Sequence, residues 1–242
     1  MTKTANVTIV LNKPKYPGNV GSAARCAMNM GIDKLVVVGN RDLAMEEMKT
    51  MATHVAAGIV DGIRYFDSLN EALAGFHYIV GTTARRGGAR GPLVSPREMA
   101  DTLVDISQKN EVALLFGPED TGLSNDELRF CHLVVAIPSS RHFKSINLSH
   151  SVMILCYEIF IAKGNIQETF TPRLATSAEL EGMYDQMKAL FLKIGFLNPQ
   201  NPDYWMMHVR RFLSRTRLLS KEVKVIRGIC RQLDWYERNK KT

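Results

Sequence analysis

Three short polar segments hold the residues of this 242-residue chain that could carry chemistry. The first is Gly18-Asn-Val-Gly21, with Arg25 following, and the second is Phe116-Gly-Pro-Glu-Asp-Thr-Gly-Leu-Ser124. The third is Lys144-Ser-Ile-Asn-Leu-Ser149. Each lies near the end of a predicted strand. Glycines flank the Glu119 carboxylate, and glycine lets backbone come close to a ligand. We therefore expect a close-fitting pocket at the carboxyl edge of a sheet.

The first segment has competing interpretations. Glycines between a strand and a helix are typical of a dinucleotide phosphate site, and Asp42 lies near the expected distance downstream. However, the third glycine of G-x-G-x-x-G is absent, and the first two are wrongly spaced. A purely structural turn is also compatible. Arg25 lies among alanines and Cys26, which predicts that it is either at the exposed helix edge or in a polar pocket.

Some polar residues of the other segments have a simple structural explanation. Ser124 and Glu127 have the spacing of a capping box for a short helix. Ser145 or Asn147 could cap the long apolar helix that follows. Neither explanation accounts for Glu119 or for Gly117 and Gly122.

The elements that must position these segments alternate between strands and helices. Nearly continuous apolar runs predict strands at Asn6–Leu11, Lys34–Gly39, Tyr78–Thr82, Val112–Phe116 and Leu133–Ile137. Helical patterns separate them at Asn19–Met30, Met45–Ala57, Leu69–Ala74, Pro96–Gln108 and Asn125–Phe130, and a long helix follows at Leu148–Lys163. This alternation predicts an α/β domain, residues 1–163, with a parallel sheet covered on both faces.

A second domain follows an aperiodic segment, residues 164–177, that we interpret as a linker. Residues 178–242 predict three helices. Ser177 could cap the first, which would end at Gly195; the second covers Tyr204–Arg215; Ser220 could cap the third, which reaches about Glu237. The domain predicted by this pattern is small and entirely α-helical.

Charge divides the chain in the same place. Residues 1–172 carry 17 basic and 17 acidic residues, whereas residues 173–242 carry 14 basic and 7 acidic ones, so the later part holds the whole net charge of +7. A basic domain beside a neutral one favours a polyanionic partner, although a solvated helical face would show the same excess. The candidates for phosphate contacts are Arg210, Arg211, Arg215, Arg217, Lys221, Lys224, Arg227 and Arg231.

The third C-terminal helix has two faces at about 100° per residue. Its apolar face predicts inward packing of Val225, Ile226, Ile229, Cys230, Leu233 and Tyr236. Tyr204, Trp205 and Trp235 could stack on bases, but we expect them to anchor the core of this domain.

Composition excludes several other classes. The chain lacks an apolar run of about 18 residues, and we see no secretory segment at its start. The four cysteines form no CxxC pair, which favours free thiols in a reducing cytoplasm. The six histidines are scattered, and no His/Cys/Asp cluster has metal-ligand spacing. We therefore expect a cytoplasmic protein without a metal or a membrane span.

The three segments, in this order, resemble the signature motifs of the SPOUT (α/β-knot) RNA methyltransferases, and most closely the TrmH/TrmJ-like ribose 2′-O-methyltransferases. The resemblance covers Val7 to about Lys163, and the C-terminal helices resemble the TrmJ-like extension. It implies a deep trefoil knot at the cofactor site, a homodimer, and methyl transfer from S-adenosylmethionine to RNA. Pro118 is a departure, because a longer basic side chain is usual there, and this leaves the choice of RNA open.

The same resemblance implies the site residues. The catalytic set is Asn19, Arg25, Glu119, Ser145 and Asn147. The cofactor set is Thr82, Thr83, Ala84, Gly117, Gly122, Ile137, Lys144, Ser145, Ile146 and Leu148. Family accounts often make the motif 1 arginine, here Arg25, a general base. Because a guanidinium rarely loses its proton, we favour a bidentate grip on the adjacent phosphate and stabilisation of the developing alkoxide.

Three functions remain as hypotheses from different classes. The first is 2′-O-methylation of cytidine or uridine in a tRNA anticodon loop, with rRNA as an alternative substrate. The second is a non-catalytic RNA-binding protein that kept the fold. The third is a nucleotide-dependent oxidoreductase on a Rossmann-like sheet.

Overall fold

The computed structural model describes residues 4–85, 93–140, 142, 145–162 and 171–239. The chain forms two compact units, Met1–Thr171 and Pro172–Thr242. Lys144 and residues 164–170 of the predicted linker lie outside the described residues. The predicted domain boundaries stay predictions.

The first unit is built on a parallel sheet. Its described strands are β1 (Val7–Asn12), β2 (Lys34–Val38), β3 (Arg64–Phe66), β4 (Tyr78–Thr82), β5 (Leu93–Val94), β6 (Val112–Phe116) and β7 (Leu133–Val135). They are ordered β3-β2-β1-β6-β4-β7-β5, and every pair is parallel. All residues of β1 and β6 are buried, as continuous apolar strands covered on both faces require. The predicted α/β class is confirmed.

Six α-helices of the described residues lie between the strands or after the last of them. They are α1 (Pro17–Asn29), α2 (Met45–Asp61), α3 (Leu69–Leu73), α4 (Pro96–Ile106), α5 (Asn125–Leu128) and α6 (Leu148–Ala162). The predicted capping box is confirmed at α5, where Ser124 and Glu127 bond each other's backbone amides. Helix α1 packs closely on α2 at Gly21. A Cβ added there would lie 2.0 Å from the Met48 carbonyl oxygen, so a larger residue would not fit.

Parallel pairing brings the predicted motifs to one edge of the sheet. Leu11 near the end of β1 pairs with Phe116 at the end of β6, and Gly81 in β4 pairs with Leu115 of β6. Thr82 at the end of β4 pairs in turn with Val135 of β7. The segments that leave β1, β4, β6 and β7 therefore start side by side, as ligand sites in open α/β sheets require.

The second unit is helical, as predicted, with α7 (Ser177–Lys193), α8 (Pro202–Ser214) and α9 (Ser220–Asn239). Two predicted caps are wrong. The Thr176 hydroxyl, not Ser177, caps α7 in a capping box with Glu179. Helix α9 starts at Ser220, whose hydroxyl donates instead to Glu179. The prediction that Gly195 ends the first helix is confirmed by its φ of +75° just after the C-cap.

The apolar residues of α9 do not all face inward as predicted. Cys230 and Val223 are buried in the core of this unit, and Ile226 is partly buried against it. Four residues of the predicted inward face are instead exposed: Val225, Ile229, Leu233 and Tyr236. Val223, Ile226 and Cys230 follow one another at helical spacing, so the packed face is rotated from the one that carries Val225, Ile229 and Leu233.

The predicted role of three aromatic residues as core anchors is also wrong. Tyr204, Trp205 and Trp235 are each about half exposed or more. Tyr204 and Trp205 contact each other edge-to-face and pack around His208 on the surface of α8. The core of the second unit is formed mainly by leucines and methionines of α7, together with Leu197 and Met206.

Candidate active site

A cavity of about 530 Å³ opens at the carboxyl edge of the sheet. Its walls come from the segments after β4, β6 and β7 and from the start of α6. The described residues that line it are Thr82, Thr83, Ala84, Arg85, Phe116, Gly117, Pro118, Glu119, Asp120, Thr121, Gly122, Leu123, Val135, Ile137, Ser145, Ile146, Leu148 and Ser151. The cavity therefore gathers every described residue of the predicted cofactor set.

The loop after β6 folds back on itself at its two glycines. A Cβ on Gly117 would lie 2.4 Å from the Gly122 carbonyl carbon and the Leu123 nitrogen. Gly122 has a φ of +62°, which favours glycine, and its amide donates to the Pro118 carbonyl at 2.8 Å. The two glycines thus fix the loop that presents Glu119 to the cavity.

The side chains of two asparagines and one glutamate join the three sequence motifs. The Asn19 amide donates to Glu119 Oε1 at 2.9 Å, and the Asn147 amide donates to Asn19 Oδ1 at 2.9 Å. Asn147 Oδ1 then accepts from the backbone amide and the hydroxyl of Ser149, both at 2.8 Å. A continuous chain of hydrogen bonds therefore links α1, the β6 loop and the start of α6.

Glu119 is bound further by the loop before α1. The Lys15 backbone amide donates to its Oε2 at 2.9 Å, and the Tyr16 amide approaches Oε1 at 3.4 Å. The Lys15 ammonium bonds Asp120 at 2.6 Å, and this bond lowers the pKa of Asp120, so that carboxylate is ionised at neutral pH. The described side-chain contacts of Glu119 are thus with Asn19 of α1 and with the loop before α1.

The start of α6 is capped by Asn147, as one of the two alternatives predicted. Its side chain accepts from the amide two residues on, which is the N-cap geometry. Ser145 lines the cavity, is exposed, and has no hydrogen bond with other described residues. Its hydroxyl is therefore available to a ligand.

The segment after β4 contributes a residue that the predicted site set omitted. Thr82 Oγ1 donates to the Leu115 carbonyl at 3.2 Å, and the Thr83 amide donates to the Val135 carbonyl at 2.9 Å. Arg85 lines the cavity and donates to the Thr121 carbonyl at 3.0 Å, so it connects this segment to the β6 loop. The signal in the sequence was its position, since Arg85 directly follows Thr82, Thr83 and Ala84 of the predicted cofactor set.

Arg25 lies apart from the cavity lining. It is exposed on α1 and forms no hydrogen bond or ion pair with other described residues. Of the two sequence-based possibilities, the exposed helix edge is the one found. Asn19 and Asn147 also lie outside the lining, so their contacts with Glu119 and Ser149 support the cavity rather than form its wall.

Glu127 ties the β6 loop to β1. Its Oε2 accepts from the Ser124 amide at 2.8 Å, and its Oε1 accepts from the buried Asn12 amide at 2.7 Å. Burial alone would raise the pKa of Glu127, but these hydrogen bonds and the charge of Lys13 lower it overall. The capping explanation predicted only the first of these bonds.

The eight basic residues predicted to bind RNA differ in their contacts within the second unit. Arg210 forms a bidentate ion pair with Glu181, at 2.5 and 2.7 Å, and covers the Tyr184 ring. Arg227 bonds Gln186. These contacts give both arginines a structural role. The side chains of five others make no hydrogen bond or ion pair with other described residues: Arg211, Arg215, Lys221, Lys224 and Arg231. Arg217 has a positive φ of +49° and is exposed.

In the described parts of the chain, no helix is long and apolar enough to cross a membrane. The same residues contain no group of three or more His, Cys, Asp or Glu side chains that could hold a metal ion. The cysteines are free, and burial raises the pKa of Cys131 to about 12.

Comparison with known proteins agrees with this geometry. Residues 6–157 match the model of the SpoU rRNA Methylase family, and residues 178–242 match that of the tRNA methyltransferase TrmJ, C-terminal domain. The tRNA (cytidine/uridine/adenosine-2′-O-)-methyltransferase TrmJ of Pseudomonas aeruginosa (strain UCBPP-PA14) is 37% identical over 236 residues, which cover 92% of this chain and 91% of that protein. The tRNA (cytidine-2′-O-)-methyltransferase TrmJ of Methanocaldococcus jannaschii is 37% identical over 160 residues, covering 65% and 68%. The crystal structure of TrmJ from Z. mobilis ZM4 matches with a TM-score of 0.81 at 28% identity, covering 94% of this chain and 98% of that one.

Proposed function

Because this chain belongs to the SpoU rRNA Methylase family and carries the TrmJ C-terminal domain, we propose that it methylates a ribose 2′-hydroxyl of tRNA with S-adenosylmethionine as donor. The relatives named as tRNA (cytidine/uridine-2′-O-)-methyltransferases match over most of the chain, which supports this class of enzyme. The observation that carries the proposal is the hydrogen-bond chain from Glu119 to Ser149, because it joins all three motifs beside one cavity.

The cavity suits S-adenosylmethionine in size and in lining. Its 530 Å³ lies in the usual range of ligand pockets, about 300–1,000 Å³. Ile137, Ile146 and Leu148 offer apolar contacts for an adenine ring, and the glycine loop offers backbone groups for its polar edge. When bound, the cofactor supplies a methyl group already activated on a sulfonium. The protein must then align the acceptor hydroxyl and manage its proton.

Arg25 is the residue we assign to the RNA. Its guanidinium has no partner among the described residues, so it can form a bidentate pair with a phosphate without breaking an existing contact. A fixed positive charge beside the acceptor ribose would also stabilise the alkoxide as its proton leaves. Ser145, which faces the cavity, is placed to hydrogen-bond the ribose.

Asn19, Glu119 and Asn147 act as positioning residues in this proposal. Their side chains bond one another, and Glu119 also holds the loop before α1. They therefore fix the distance between α1, which carries Arg25, and the start of α6, which carries Ser145. A misplacement of about 1 Å can cost about 100-fold in rate.

A homodimer is part of the proposal, because an apolar surface of the first unit is exposed. Tyr157, Phe160 and Ile161 of α6 are exposed, and so is Met28 of α1, the helix against which α6 packs. Tyr157, Phe160 and Ile161 share one face of α6 at helical spacing, and exposed apolar residues grouped in this way suit a protein interface. Molar mass by light scattering checks this directly: twice the chain mass is expected, and a monomer at micromolar concentration would contradict it.

We propose tRNA as the substrate and cytidine or uridine of the anticodon loop as the target. The match of residues 178–242 to the TrmJ C-terminal domain supports tRNA, and the exposed basic residues Arg215, Lys221, Lys224 and Arg231 suit its backbone. Ribosomal RNA is the second candidate, since the family matched by residues 6–157 is described as an rRNA methylase family.

The experiment that tests this function is transfer of radiolabelled methyl from S-adenosylmethionine to total tRNA and to rRNA, followed by nucleoside mass spectrometry. Labelled 2′-O-methylcytidine or 2′-O-methyluridine from tRNA is the expected result. Label in rRNA alone would favour the second candidate. Cofactor binding without label in either RNA would refute the proposed reaction.

A further inference from the structure

Tyr16 is an exposed aromatic side chain at the border of the active site. It is 60% exposed, more than any other aromatic residue described in the first unit. Its hydroxyl forms no hydrogen bond, and its ring forms no aromatic contact, with other described residues. Neither the fold nor the proposed roles of the motif residues explain a large apolar ring held in water at this position.

The backbone that carries this ring is fixed on both sides. The Asn40 side chain donates to the Pro14 carbonyl at 2.9 Å, and the Lys15 amide donates to Glu119 at 2.9 Å. The Tyr16 carbonyl then accepts from the backbone amide of Asn19 at 3.0 Å, where α1 begins. The loop therefore presents the ring from a rigid position, so little backbone freedom is lost when something binds it.

The backbone of Tyr16 lies next to a residue of the cavity wall. Glu119 lines the cavity, and the Tyr16 amide faces its carboxylate at 3.4 Å. From Tyr16, α1 continues to Asn19 and then to Arg25, the residue assigned to the phosphate. A nucleotide with its ribose at the cavity mouth and its phosphate at Arg25 would have its base near the start of α1.

We propose that Tyr16 stacks on a nucleobase of the RNA substrate beside the ribose that is methylated, and that this contact supplies affinity without selecting the base. The inference rests on the proposed function and adds a residue that strengthens binding of the RNA substrate. Stacking on an aromatic ring tolerates every base, because each base has a π-face. The relative from Pseudomonas aeruginosa is named for cytidine, uridine and adenosine, a range that reading of base edges would not easily permit.

The test compares Y16A with Y16F in the full-length protein. Removal of a base-stacking ring typically weakens RNA affinity by about 5- to 150-fold. We expect Y16A to lower tRNA affinity and kcat/KM in that range at fixed salt, whereas Y16F, which keeps the ring, stays within about threefold of wild type. Affinity for S-adenosylmethionine and the melting temperature should be unchanged in both, because the exposed ring supports neither.

The outcomes separate this inference from the proposed function. If the wild type methylates tRNA and Y16A matches it within twofold, the stacking inference is overturned and the function stands. If the wild type methylates no RNA, the proposed function fails, and the inference that rests on it fails with it. If Y16A is poorly folded, photocrosslinking of wild-type protein to 4-thiouridine tRNA decides: a crosslink on the Tyr16 peptide supports stacking, and crosslinks elsewhere alone refute it.

Discussion

Replacing Gly117 with alanine should disable the cofactor site without unfolding the protein. The added Cβ would lie 2.4 Å from two backbone atoms of the facing strand of the loop, the Gly122 carbonyl carbon and the Leu123 nitrogen. Ordinary contact begins near 3.4 Å, so the loop would have to retreat by about 1 Å. Overpacking of this kind costs about 1–3 kcal/mol. The atoms that must move are backbone, which cannot rotate away.

The displaced loop carries Glu119 and one wall of the cavity, so the loss should concentrate in cofactor binding and rate. We expect G117A to bind S-adenosylmethionine at least about tenfold more weakly in titration calorimetry and to lose about 100-fold in methyl transfer. Its melting temperature should fall by about 2–4 °C per kcal/mol. The matched control is G58A, because nothing lies within 4 Å of a Cβ on Gly58 in α2. It should bind normally and gain up to about 1 kcal/mol of stability. Wild-type cofactor affinity in G117A would refute this reasoning.

Three further perturbations test other parts of the structure. R25K keeps a charge but loses the fork of a guanidinium, so kcat should fall by about 100-fold or more in single-turnover methyl transfer at unchanged cofactor affinity; near-normal turnover would support a general base instead. The pKa of Glu127 is lowered in the folded protein, so its stabilisation is present above the unfolded value near 4.5 and disappears as the pH falls through the lower folded value. Urea unfolding should therefore show E127Q as less stable than wild type at pH 7, with a difference that shrinks below pH 4.5; a constant difference would exclude this charge effect. Neutralising Lys221, Lys224 and Arg231 together should reduce the slope of log affinity against log salt for tRNA by about 2 to 3, and an unchanged slope would remove them from the RNA contacts.

The sheet was predictable where strands were long and fully apolar. β1, β4 and β6 each have five or more buried or nearly buried residues, and their runs in the sequence predict strands directly. β3 and β5 were missed because they have only three and two residues, at Arg64–Phe66 and Leu93–Val94. Such short strands add to an edge only once a neighbouring strand offers its hydrogen bonds. The knot stays an implication of the resemblance, since periodicity gives no information on threading.

Helix α9 shows the limit of periodicity as evidence for packing. The pattern correctly places Val225, Ile229 and Leu233 on one face, but it does not say what that face meets. Within the second unit, α7 instead covers the side that carries Val223 and Cys230. A helix with apolar residues on two faces can bury either, and the sequence of the helix alone does not decide which.

The predicted catalytic residues separate into two groups once their contacts are known, and the chemistry of hydrogen bonding explains why. The series of hydrogen bonds that joins the motifs has two ends. One is the Glu119 carboxylate, which only accepts, and the other is the Ser149 backbone amide, which only donates. Any side chain between them must donate toward one end and accept from the other. A carboxamide does both, and an aspartate or a leucine could not, which accounts for asparagine at both 19 and 147. Asn19 and Asn147 each use both the NH2 group and the oxygen of the carboxamide in holding the motifs together. Arg25 and Ser145 have no such partner among the described residues, so we assign them the contacts with the substrate.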